Sequence, residues 1–381
     1  MATIALLSTG LRGHAAPLAR LGAVLSRQGH RLHAWVPEAF RSEFERVGVD
    51  VNPHEPVPAE AARDLFDFAA RLASATELCA GELIEELHAN GTELVLHDVH
   101  VPWGRVAADF LGLPRIVSTP LYPAAYEDPE AEPFAPGGRP DIAVRIGAAR
   151  SEVGRRWGVE LGTWRAILWN RGPATANFTT EEIAGRPDEP PSWTYIGPLM
   201  EPPIPRSRVV GRPYVYVSFG TFFHVPGDLI RAAIEALADQ PLDALISTGR
   251  TAVAPEDLGP LPDNVEAREF VDTSEVLARA DAFVTHAGGN SVHEGLMAGV
   301  PMVCVPLGAD HFDWAHRIEE LGAGTVASSK TAAIGNAVST VLEDSAFRER
   351  AVELGARLAE FDGESRVGEL VERLLAATRV A

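Results

Sequence analysis

The chain predicts an α/β protein built from two doubly wound parallel sheets, and three observations carry that prediction. Its 381 residues exceed the size at which a single hydrophobic core usually stops growing. Short β-rich runs alternate with helical periods in both halves, the βα rhythm of a parallel sheet. Between the halves, four prolines fall in the nine residues from Gly197 to Pro205, where neither a helix nor a central strand persists. These features divide the chain into a first domain over 1–199, a linker over 200–212, a second domain over 213–362 and a final helix over 363–381.

Taken in order, Thr3–Leu7 is an apolar run that reads as the first strand, followed by a helix over His14–Gln28 and a strand over Arg31–Val36. Leu65, Phe68 and Leu72 repeat at helical spacing within a helix expected over 60–87. A strand at Glu93–His97, a helix at Pro102–Leu111 and a strand at Arg115–Ser118 continue the alternation. From Leu121 to Trp169 it breaks: an acidic, Pro/Gly-rich stretch reaches Pro140, and helices carrying Trp157 and Trp164 follow. Segments of that kind are functional loops or mobile surface. The rhythm restarts with strands at Tyr214–Ser218, Leu242–Ser247, Val265–Phe270, Asp281–Thr285 and Met302–Val305. An amphipathic helix over Gly363–Leu375 closes the chain.

Composition bounds the function. Asp and Glu outnumber Lys and Arg by 53 to 33, and a net charge of −20 with no basic run repels nucleic acid and anionic lipid. The two cysteines, Cys79 and Cys304, argue against a disulfide framework or zinc site and fit a reducing cytoplasm. The first residues lack the basic region of a signal peptide, and no apolar stretch has the length of a membrane span. A cytoplasmic monomer or homodimer is expected.

Residues 283–311 hold the densest chemistry. An apolar strand meets Gly288 and Gly289, then Asn290 and Ser291, so bare backbone N–H groups and a helix N-terminus can approach a phosphate. His286 adds a donor at the strand end, and Glu294, expected on the first turn of the same helix, can accept bonds from a ribose diol. Ser291 and Glu294 also read as a capping box that serves stability alone. In the first domain, His14 follows a Gly-rich turn at a helix start, where the helix dipole favours a neutral imidazole able to take a hydroxyl proton. Its alternative is a solvated cap histidine. Asp98 lies just past an apolar strand, at the edge where open α/β sheets place ligands; it reads equally as the N-cap of the helix at Pro102. Ser218 and Thr221 end a strand and either donate hydroxyls to a diphosphate or cap the next helix. Phe270 and Val271 stand at a strand end, where an aromatic is more commonly core.

Gly13-His14 with Pro17, Asp98 before Ala107 and Leu111-Gly112-x-Pro114, Ser218-Phe219-Gly220-Thr221, and the 286–310 block occur in one order. In that order they resemble the family 1 glycosyltransferases, including the bacterial macrolide and other natural-product enzymes. The resemblance implies a GT-B fold, two doubly wound domains facing across a cleft, with the last helix crossing back onto the first domain. It implies transfer with inversion from a UDP- or dTDP-sugar to a hydroxyl of a small hydrophobic aglycone, with Asp98 orienting His14 as the base. The donor falls to Gly13, Ser218, Thr221, Phe270, Val271, His286, Gly288, Gly289, Asn290, Ser291, Glu294, Asp310 and His311, the acceptor to Phe66, Trp103 and Tyr122. Two departures stand out: Asp272-Thr273 where the family often has glutamine near the base, and His311 where glutamine usually follows the sugar-reading aspartate. Trp314 is then expected to add apolar surface near the sugar and to favour a deoxygenated donor. The chain has no Asp-x-Asp pair, so no metal and no other cofactor is expected. Two rivals remain: a nucleotide-sugar epimerase on the same fold, and a non-catalytic partner of another glycosyltransferase.

Overall fold

The computed structural model describes residues 1–57, 62, 64–123, 139–185, 192–201, 204, 211–220, 225–238, 240–249 and 253–380. In the first half it runs β1 (Thr3–Leu7), α1 (Arg12–Arg27), β2 (Arg31–Val36), α2 (Arg41–Glu45), β3 (Asp50–Pro53), α3 (Leu65–Ala89) and β4 (Leu94–Asp98). It continues with α4 (Pro102–Leu111), β5 (Arg115–Thr119), α5 (Pro140–Trp157), α6 (Trp164–Leu168), β6 (Thr175–Asn177), α7 (Glu181–Ala184) and β7 (Trp193–Tyr195). The second half holds β8 (Tyr214–Ser218), α8 (Gly227–Ala238), β9 (Asp243–Ser247), β10 (Val265–Arg268), α9 (Thr273–Leu277), β11 (Ala282–Thr285) and α10 (Gly289–Met297). Then come β12 (Met302–Cys304), α11 (His311–Glu320), β13 (Gly324–Val326), α12 (Thr331–Glu343), α13 (Ser345–Ala359) and α14 (Gly363–Val380).

The chain forms two compact units. The first comprises 1–178, 187–199 and 362–381; the second comprises 179–186 and 200–361. The sequence boundary at 199 therefore misses one detail, because residues 179–186 pack with the second unit. Arg317 on α11 explains why: its guanidinium donates to the backbone carbonyls of Ile183 and Glu182, each at 2.9 Å.

In the first unit seven parallel strands are ordered β3-β2-β1-β4-β5-β6-β7. Strand β4 is buried along its whole length, as expected of a strand covered on both faces. On one face α3, α4, α5 and α6 pack through Phe68, Leu72, Leu83, Val106, Ile146 and Ile167. On the other, α1 and α14 pack through Leu18, Leu21, Leu25, Leu370 and Val371, and Gln28 donates to the Glu364 carbonyl at 2.9 Å. Local signals set the helix ends: Asp64 caps α3 by accepting from the Asp67 N–H at 2.8 Å, while α4 opens on Pro102 and stops at Gly112, whose φ of 67° closes the last turn.

The second unit has six parallel strands ordered β10-β9-β8-β11-β12-β13. Its core gathers Val217, Val284 and Val303 from the sheet with Leu229, Ile334 and Val338 from the helices. Both sheets start in the middle and wind outward in two directions. That order creates a switch point between β1 and β4 in the first unit and between β8 and β11 in the second, the crevice where such sheets bind ligands at their carboxyl ends.

Candidate active site

At the β1/β4 switch point, the pairing of Leu7 with His97 brings the ends of the two strands to the same edge. The chain leaves β1 and enters α1, whose buried face begins with His14. Pro17 lies inside α1, one turn past its start, and has no N–H to donate to the Gly13 carbonyl. His14 Nδ1 stands 2.8 Å from Asp98 Oδ2, and both groups are buried. The second carboxylate oxygen, Oδ1, accepts the backbone N–H of His100 at 2.9 Å. Burial alone would raise the Asp98 carboxyl, but the charge and hydrogen bond of His14, with His100, hold it below its ordinary value. An ionised carboxylate only accepts, so the Nδ1 facing it carries a proton whatever the charge of the ring, and in the neutral form of His14 the lone pair lies on Nε2. Asp98 does not cap α4: that position is Val101, and no side chain caps the helix.

His100 completes the cluster. Its ring centroid is 4.7 Å from that of His14, Phe68 meets it edge-on at 5.3 Å, and burial lowers it to about 4, with His14 acting in the same direction. His97 is lowered further, to about 3, again by burial. Of the acceptor candidates, Phe66 is half-buried and packs on Trp164 with centroids 4.5 Å apart. Tyr122 is half-buried. Trp103 is 1% exposed and belongs to the core, so it has no surface to offer a ligand; its spacing on α4 with Val106 and Ala107 marks that buried face.

At the β8/β11 switch point, Ser218 pairs with Thr285 in the register of the two strands. The chain then turns through His286, Ala287 at φ 63° and Gly288, which caps α10. A non-glycine residue at positive φ carries strain, and such strain concentrates at ligand-binding turns. The His286 imidazole fills a slot between two glycines: a Cβ on Gly288 would come within 2.5 Å of Nε2, and one on Gly220 within 2.6 Å of Cε1. Burial lowers His286 to about 4, against the pull of a backbone hydrogen bond to Ser218. His311 stacks edge-on against it at 4.6 Å, and burial, then His286, lowers it too.

The helix begins at Gly289, which overturns the capping-box reading. Gly288 takes the cap with an extended backbone, Ser291 falls inside the helix, and Glu294 lies in the second turn rather than the first. Gly289, Asn290 and Ser291 thereby form the first turn of the helix, the end at which an anion is favoured. His293, which no sequence motif singles out, fixes this helix: Nδ1 is 2.6 Å from the Gly289 carbonyl and Nε2 is 2.8 Å from Thr179 Oγ1.

Phe270 is 53% exposed, so it is not core, and Val271 beside it is half-buried. Asp310 is buried at the N-cap of α11, behind Ala309 at φ 50°. Trp314 corrects an expectation: it is fully buried and meets His293 edge-on at 5.3 Å, so it presents no surface to a sugar. Thr221 lies outside the described residues. Gly13 immediately precedes His14 on α1. Among the described residues no group of three or more His, Cys, Asp or Glu side chains has the arrangement of a metal site, and no helix is long and apolar enough to cross a membrane.

Comparison with known proteins bears on the fold and on the class of enzyme. Residues 234–376 match the model of the erythromycin biosynthesis protein CIII-like C-terminal domain. Oleandomycin glycosyltransferase of Streptomyces antibioticus is 28% identical over 402 residues, covering 99% of this chain and 91% of that protein. Demethyllactenocin mycarosyltransferase of Streptomyces fradiae is 28% identical, covering 98% and 87%. Among solved structures, the kitacinnamycin glycosyltransferase superposes with a TM-score of 0.83 at 24% identity, covering 98% of this chain and 99% of that one. The calicheamicin glycosyltransferase CalG4 reaches 0.76 at 25% identity, covering 99% and 98%. Relatives that run the length of both units, a shared two-sheet fold and a matching C-terminal domain lead to one conclusion: the chain is a glycosyltransferase with a two-sheet fold of the GT-B kind, similar over its whole length to the natural-product glycosyltransferases.

Proposed function

We propose that the enzyme moves a sugar, with inversion, from a UDP- or dTDP-sugar to a hydroxyl of a small apolar natural product, using His14 as general base and Asp98 as its orienter. The observation that carries this reading is the buried 2.8 Å pair of His14 Nδ1 and Asp98 Oδ2 at a sheet switch point. Nε2 takes the acceptor proton as the hydroxyl oxygen bonds to the anomeric carbon, and the bond from that carbon to the diphosphate breaks with its electrons. The imidazolium formed is held by the Asp98 carboxylate, as in a hydrolase triad. One displacement at the anomeric carbon, without a covalent carboxylate intermediate, inverts it.

The departing diphosphate gains negative charge. The backbone N–H groups at the start of α10 and the His286 ring supply donors to it, an electrostatic role of the oxyanion-hole kind that asks for no metal. Phe270 offers an exposed face for stacking on the base, while Glu294 and Asp310 supply carboxylates for ribose and sugar hydroxyls. A deoxygenated sugar remains the expected donor, on the ground of His311 alone now that Trp314 is buried.

The test is His14→Ala: transfer disappears while nucleoside diphosphate affinity, measured by calorimetry, stays near wild type. Wild-type turnover in that variant removes His14 from the mechanism. Donor consumption without acceptor, traced by epimerised nucleotide sugar, marks the epimerase alternative.

A further inference from the structure

His100 is not used by the chemistry above, although its environment is as defined as that of the base. Its Nδ1 is 2.7 Å from the Leu168 carbonyl. A carbonyl only accepts, so the ring proton is fixed on Nδ1 and Nε2 carries a lone pair. Its backbone N–H is bound by the carboxylate that orients His14, so one aspartate holds both histidines in register. The result is two imidazole rings with centroids 4.7 Å apart, each fixed in the tautomer that leaves Nε2 as a hydrogen-bond acceptor.

The two rings are not equivalent as bases. Behind His14 stands a carboxylate that stabilises an imidazolium; behind His100 stands a neutral carbonyl, and burial holds the ring neutral. The proton taken in transfer therefore belongs to His14. What His100 offers a ligand is an acceptor without charge. Phe68 meets the ring edge-on, and Trp169, next in the chain to the Leu168 that holds Nδ1, is half-buried; a flat apolar ligand packs well against an aromatic face.

We propose that His100 is a specificity-determining residue that accepts a hydrogen bond from a second hydroxyl adjacent to the one glycosylated, so that the enzyme prefers vicinal diols, above all those of the catechol type, as acceptors. A diol presents two neighbouring O–H donors to the two nitrogens. A lone hydroxyl leaves one of them dry when the ligand covers it, which is costly. The inference rests on the reading of His14 as base.

The experiment uses the full chain and two fluorescent probes, 6,7-dihydroxycoumarin and 7-hydroxycoumarin, titrated against wild type, His100→Phe and His100→Gln without donor. A neutral hydrogen bond of about 1.4 kcal/mol predicts roughly tenfold tighter binding of the dihydroxy compound by wild type. The ratio falls to about one in His100→Phe and is partly kept in His100→Gln, whose amide oxygen still accepts; unchanged circular dichroism establishes that the variants fold. Equal binding of the two coumarins by wild type, binding of neither, or a preference that survives His100→Phe overturns the proposal. Transfer from a nucleotide sugar to either coumarin, measured in His14→Ala, tests the base separately: if the variant still transfers while the binding ratio behaves as stated, the base reading fails and the role of His100 stands.

Discussion

Replacing Asp98 by asparagine is the sharpest test of the proposed chemistry, because both carboxylate oxygens are committed. Oδ1 accepts the His100 backbone N–H at 2.9 Å and Oδ2 faces His14 Nδ1 at 2.8 Å. A backbone N–H can only donate, so in Asp98→Asn the amide oxygen must take the Oδ1 place, which turns the amide NH2 toward His14. That group donates to Nδ1, the ring proton moves to Nε2, and the nitrogen meant to receive the acceptor proton is blocked. Two losses combine. A hydrogen bond to a charged group is worth about 1.5–3 kcal/mol, which at about 1.36 kcal/mol per decade is roughly ten- to hundredfold in rate. The inverted tautomer removes general-base catalysis on top of that, so the total approaches the roughly 10²–10⁴ that such catalysis typically contributes. The assay is kcat for glucosyl transfer from dTDP-glucose to 7-hydroxycoumarin, with dTDP affinity measured in parallel by calorimetry. Turnover should fall by on the order of a hundredfold or more while dTDP binding is unchanged. Turnover of the Asp98→Asn enzyme within about threefold of wild type, a loss smaller than one hydrogen bond to a charged group, would refute the tautomer argument.

Three further outcomes follow from the geometry. Gly288→Ala drives a Cβ to 2.5 Å from His286 Nε2, so by calorimetry it should weaken dTDP binding about as much as His286→Ala, by roughly 1.5–3 kcal/mol, and the double variant should add little. Excess chelator should leave the transfer rate unchanged; activity lost to EDTA and restored by magnesium would show that a metal carries the leaving-group charge. Because the native Asp98 carboxyl is held below its ordinary value of 3.8, its ionised form stabilises the fold above that pH and the contribution is lost as pH falls through the native value. The stability gap between wild type and Asp98→Asn in urea should therefore be widest at neutral pH and close on acidification.

The sequence is most legible where an apolar run coincides with a fully covered strand. Thr3–Leu7, Arg31–Val36 and Tyr214–Ser218 take the boundaries their composition predicts. The three-residue strands Thr175–Asn177, Trp193–Tyr195 and Gly324–Val326 carry no such pattern, because so short a run is placed by the strands it pairs with rather than by its own periodicity. The burial of Trp314 is legible, against the expectation of a sugar contact: His311, Trp314, Ala315 and Ile318 repeat at helical spacing and form the buried face of α11. The histidine cluster is a different matter. Leu168, which fixes the His100 tautomer, is 68 residues away along the chain, and no local signal connects a side chain to a carbonyl at that separation. The start of α10 departs from its sequence signal because Ser-x-x-Glu is a strong cap pattern, and only the extended backbone of Gly288 displaces it.

The assignment of residues 179–186 to the second unit and 362–381 to the first governs how this enzyme can be recombined with its relatives. A chimera joined at the apparent linker after Leu199 would separate Arg317 and His293 from the native partners they hold in the 179–185 stretch, and would leave α1 facing a foreign terminal helix. Exchanging one unit therefore calls for a discontinuous graft, in which 179–186 travels with the second unit and 362–381 travels with the first.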